Sequence, residues 1–91
     1  MTYNETELQN QLNVLNELFD ESAEIRRVYD AINIDYKMYQ FHIHPTLEGY
    51  CYYEGWKNNK PLVSSGYRKV PKIEMLKSLL QYIPQNDYKL L

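Results

Sequence analysis

Apolar residues recur at Leu8, Leu12, Leu15 and Phe19, with Val14 and Leu18 flanking them. That i, i+4, i+7, i+11 spacing predicts an amphipathic helix, which Thr2 or Asn4 can cap, with Glu5 or Glu7 three residues on. Asp20-Glu21-Ser22 then offers a fresh N-cap, and Ile25, Val28, Tyr29 and Ile32 repeat a helical spacing in a new phase. Two readings follow: the helix breaks near residue 21 into two, or one helix runs from 4 to 32 with two stripes. The unbroken helix would span roughly 43 Å, at about 1.5 Å per residue. It would overhang its own sheet and expose apolar side chains, which implies a homodimer with helices paired across the axis. The break is the reading adopted.

The period then changes to two. From Tyr36 to Ile43, Tyr39, Phe41 and Ile43 point one way while Met38, Gln40, His42 and His44 point the other, and Pro45 ends the strand. Gly49 to Lys57 reads as a second strand and Pro61 to Lys69 as a third, joined through Asn58-Asn59, residues that tolerate the positive φ of a tight hairpin. The second strand is aromatic on both faces, with Tyr50, Tyr52 and Trp56 on one and Cys51 and Tyr53 on the other.

Pro71 suits the first turn of a last helix over 71–83, striped by Ile73, Leu76, Leu79, Leu80 and Ile83 and stopped by Pro84. A tail over 85–91 ends in Leu90-Leu91, docked or frayed. The expected architecture is a single α+β domain over 1–91, with an acidic helical part over 1–33, a three-stranded antiparallel meander over 36–69, and helices on one face of the sheet.

Composition narrows the function classes. At 91 residues, a chain buries only about 60 to 65% of its unfolded surface, so a second copy or a standing partner would help it. No run approaches the roughly 18 apolar residues that span a bilayer, and the first residues are acidic and polar rather than basic and then apolar, so a cytoplasmic protein with no membrane partner is expected. Cys51 is the only cysteine, which excludes an intrachain disulfide. Lys, Asn, Tyr and Ile make up 31 of the 91 residues, the usage of AT-rich codons and so of a low-GC bacterium or a phage or mobile element within one. Residues 1 to 35 carry eight acidic side chains against Arg26 and Arg27, while residues 36 to 91 carry four acids against eight bases.

Three chemistries can be set against these residues. His42 and His44 share a strand face and could ligate a metal with Cys51, but the spacing is common; Cys51 with a histidine lacks the orienting third group and oxyanion loop of a nucleophile. Neither an enzyme nor a cofactor is therefore expected. Lys57, Lys60, Arg68, Lys69 and Lys72 gather near Tyr53, Trp56 and Tyr67, the pattern of a nucleic-acid surface, against which stand the net acidic charge and the low Arg content. A dimer could also enclose a tyrosine-lined pocket for a nucleotide, with Arg68 and Lys69 on its phosphates.

The expectation adopted is a non-enzymatic protein, itself a homodimer, that binds a host or cognate protein as an inhibitor or modulator. Its contact centre is Tyr52, Tyr53, Trp56 and Tyr67, with Lys57, Lys60 and Arg68 as the rim. If Trp56 is core, the alternative face is Met38, His42 and His44.

Overall fold

The computed structural model describes residues 5–86. The expected caps at Thr2 or Asn4 and the Leu90-Leu91 tail lie outside the described residues. Helix α1 (Glu5–Leu18) is followed by strands β1 (Glu24–Val28), β2 (Ala31–Tyr36), β3 (Tyr39–Pro45), β4 (Tyr50–Lys57) and β5 (Lys60–Ser64), then a short β6 (Val70–Pro71) and helix α2 (Lys72–Leu79). The sheet runs β1-β2-β3-β4-β5, every pair antiparallel, and β6 pairs with β4 beside Tyr50 and Cys51.

Helix α1 follows its stripe: Leu8, Leu15 and Phe19 are fully buried and Leu12 half-buried. One polar residue joins them. Gln11 is 1% exposed, its amide donating to Glu7 Oε1 at 3.0 Å and to the Tyr50 carbonyl at 3.1 Å, which ties the helix to the start of β4.

The second helix expected at 22–32, and with it the unbroken helix from 4 to 32, is replaced by the β1–β2 hairpin. Asp20 does not cap a helix. Its Oδ1 accepts the Ser22 amide at 2.8 Å and the Ser22 hydroxyl at 2.6 Å, an Asx turn that redirects the chain and holds the Asp20 carboxyl below its usual range. Tyr29, at φ 57°, occupies a left-handed conformation that no α-helix contains. The helical spacing of Ile25, Val28, Tyr29 and Ile32 is accidental, since Val28 and Tyr29 are exposed while Ile32, Ile34 and Tyr36 are buried with the period of a strand.

The three-stranded sheet is therefore too small by a hairpin at its front. Its third strand is also shorter: pairing with β4 stops at Ser64, and residues 65–69 loop out before β6 returns. Asn58 and Asn59, at φ 52° and 66°, make the expected two-residue turn. Met38 belongs to the β2–β3 turn rather than to a strand face, with its carbonyl accepting the Asn58 amide at 2.9 Å.

Pro71 precedes α2, which ends at Leu79 rather than 83. Leu76 and Leu79 are buried as their stripe implies, Met75 joins them, and Ile73 is 57% exposed. Ile83 is buried although it lies beyond the helix. From there the chain runs back along the end of α1: the Asp20 amide donates to the Pro84 carbonyl at 3.0 Å and the Asn86 amide to the Leu18 carbonyl at 2.7 Å.

Buried side chains of both helices form one cluster with Ile32, Ile34, Tyr36, Phe41, Ile43 and Cys51. These sheet positions alternate along β2, β3 and β4 and share the core face. Gly55 faces Phe41 across the β3–β4 pair, and a Cβ there would overlap the Phe41 ring, so the strand glycine is the space into which that ring packs.

Candidate functional site

The opposite face of the sheet is built by register. Gln40 pairs with Trp56, His42 with Glu54 and His44 with Tyr52 in β3–β4, while Asn33 lies opposite His42 and Asp35 opposite Gln40 in β2–β3. Residues directly opposite in an antiparallel pair project to the same side. Arg26 extends this outer face onto β1, where it reaches Asp35 Oδ2 at 3.2 Å. None of these side chains belongs to the buried cluster.

Two expected sets thereby merge. His42 and His44 do not share a face with Tyr53: they stand with Tyr52 and Trp56, and the His42 and Trp56 rings meet edge-on at 4.8 Å between centroids. Tyr53 pairs with Ile43 and packs against the core from the other side. Tyr67, in the β5–β6 loop, is fully exposed. Of the contact centre expected at Tyr52, Tyr53, Trp56 and Tyr67, Tyr52 and Tyr67 are exposed and Tyr53 and Trp56 half-buried, and His42 and His44 are neighbours of that set rather than its alternative.

The expected basic rim does not gather on this face. Lys57 Nζ lies over the Tyr39 ring at 5.9 Å, on the core-facing side of β4, whereas Lys69 Nζ lies over Tyr50, an outer-face ring, at 5.8 Å. Arg68 reaches Glu74 of α2 at 3.8 Å, and Lys60 is exposed in the β4–β5 hairpin. Cys51 faces the core, away from His42 and His44, so the three cannot share an ion within one chain. Burial first, then the negative charges of Glu74 and Glu7, push its thiol up to about 12, which leaves it protonated and unreactive at neutral pH. Among the described residues no group of three or more His, Cys, Asp or Glu is placed to hold a metal.

One end of the outer face deepens into a groove of about 480 Å³. Asp30 from the β1–β2 turn, His44 and Thr46 from the end of β3, Tyr52 and Glu54 from β4, and Tyr67 from the β5–β6 loop line it. Asp30 and Glu54 are half-buried, and among the described residues neither has an ion-pair or hydrogen-bond partner. The Thr46 hydroxyl oxygen is shut off from solvent, also without a partner among the described residues.

Sequence reasoning misses Asp30, Glu54 and Thr46. Asp30 is hidden because the spacing of its segment mimics a helix, and Glu54 because a lone acid in an aromatic strand carries no motif. The one available signal is Glu54's parity with Tyr52 and Trp56, which places all three on one side of a strand. Compared with protein-family models, curated proteins and solved structures, the chain matches none. No helix among the described residues is long and apolar enough to cross a membrane.

Proposed function

We propose that the chain is a non-enzymatic binding protein that engages another protein through the outer face of its sheet, with both helices packed behind on the core side. The observation that carries this reading is the joining of Tyr52, Trp56, His42 and His44 on one face outside the core, next to a groove. Aromatic residues with few rotamers supply contact area at low entropic cost, and interface hot spots are enriched in them. The AT-biased composition suits a phage or mobile-element protein that modulates a host protein.

The same face argues against the alternatives. A nucleic acid or a nucleotide would bring phosphates to a surface bearing Asp30, Asp35 and Glu54, while Lys57 and Arg68 are engaged elsewhere. A second copy added along the β1 edge would meet Glu24, Arg26 and Arg27, charges of the kind that protect edge strands from pairing.

A photo-crosslinking residue at Gln40, in the cell that encodes the protein, tests the reading. We expect a discrete protein adduct that is lost on Trp56→Ala while the fold persists. An adduct formed equally well from Asn13 on the exposed side of α1, or one insensitive to Trp56→Ala, would overturn it. An adduct of twice the chain's mass would assign the face to a second copy instead.

A further inference from the structure

We infer that the groove at the end of the outer face is a receptor for an arginine side chain carried by the partner. The inference rests on the protein-binding reading for the carrier of the arginine, and on the groove alone for its chemistry. Asp30 and Glu54 approach the groove from separate elements, a turn and a strand, and both are half-buried and unpaired among the described residues. Two carboxylates at one groove attract a cation far more than a neutral or anionic group. Of the other titratable groups of the lining, His44, Tyr52 and Tyr67 are exposed and Tyr53 is half-buried.

The remaining lining selects among cations. Tyr52 is 37% exposed and Tyr67 wholly so, which leaves ring surface free to meet a ligand. A planar guanidinium stacks on such rings, forks onto carboxylates and sheds water more readily than an ammonium. Its five N–H donors, set in a rigid fork, match the carboxylate oxygens of Asp30 and Glu54. A volume of about 480 Å³ admits such a side chain together with the backbone that carries it. Continuity with the His42 and Trp56 pair extends the contact: the arginine enters the groove while its flanking residues lie along the aromatic face.

Amide resonances of the isotopically labelled protein, followed during titration with a capped Gly-Arg-Gly peptide, test this directly. Shifts are expected at Asp30, His44, Thr46, Tyr52, Glu54 and Tyr67, saturating in the millimolar range that a single side chain supports. The citrulline peptide, which replaces the guanidinium by a neutral urea, should produce none. Glu54→Gln should weaken the arginine peptide about tenfold, the loss of one charge-assisted contact, and Asp30→Asn comparably. If either variant unfolds, the salt dependence of the wild-type affinity replaces it, and no weakening at high salt overturns the inference. Absent shifts, equal response to citrulline, or unchanged affinity in both folded variants also overturn it. Absent shifts alongside a Trp56-dependent crosslink would remove the groove alone, whereas arginine-specific shifts without such a crosslink would remove the partner reading and leave the groove.

Discussion

Phe41 and His42 are neighbours in one strand, and Gly55 and Glu54 stand opposite them in the next, yet the two pairs belong to different chemical worlds. On the core side the Phe41 ring fills the space left by a missing side chain, among residues with no exposure. On the outer side an imidazole, a carboxylate and an indole share a surface outside the buried cluster of the described residues. One backbone thus serves as scaffold and as contact surface, with a single residue of register separating the roles. The core side should be intolerant of any volume change, and the outer side tolerant in stability but not in binding.

The comparison breaks first at Phe41. Phe41→Ala should cost about 3–5 kcal/mol in denaturant unfolding, because it removes a large ring and leaves a cavity. Gly55→Ala should cost about 1–3 kcal/mol, since the new methyl must displace that ring or the strand. The double variant should be less destabilised than the sum of the two, as the ring that the new methyl would strike is gone.

Cys51 sharpens the contrast through pH. Its folded pKa is raised from the ordinary value of 9.0 to about 12, so above pH 9 the unfolded chain releases the thiol proton and the folded chain keeps it. Stability from this group is complete below pH 9 and declines as pH rises towards 12. Chemical unfolding at stepped pH should show the decline in the wild type, and Cys51→Ala should flatten the part that the thiol contributes. The smallest stability effect is expected on the outer face. Trp56→Ala should change unfolding free energy by about 1 kcal/mol, the scale of one half-buried aromatic pair at the sheet surface, while abolishing the crosslinked adduct.

These contrasts also explain what can be read from the chain. Helix α1 is visible because its apolar residues are buried on a single stripe, so the period survives in the sequence. Strands β3 and β4 are visible because alternate positions face a core, and Asn58-Asn59 marks their neighbour's turn. The β1–β2 hairpin is masked: only Ile25 of β1 is even half-buried, so β1 shows no alternation, and the alternation of β2 is overlaid by the accidental helical spacing of Ile25, Val28, Tyr29 and Ile32. Register is the other gap. Whether His44 stands beside Tyr52 or Tyr53 depends on the length of the Thr46–Gly49 connection and its positive-φ residues Glu48 and Gly49, a geometric fact with no compositional trace. The groove inherits both gaps, because Asp30 comes from the hidden hairpin and Glu54 from the register.

The meander has a consequence for the order of events in folding. Each of the five strands in the main path pairs with its neighbour in sequence across a short connection, so sheet formation closes only small loops and can proceed like a zip. The contact between Phe19 and Gln85 is of another kind: it joins the end of the first helix to the last described residues and must wait until everything between them has collapsed. Mutations in the β3–β4 pairing should therefore slow folding, whereas weakening the Phe19–Gln85 junction should chiefly speed unfolding. That junction acts as the latch of the molecule, setting how long the native state lasts rather than how fast it is reached.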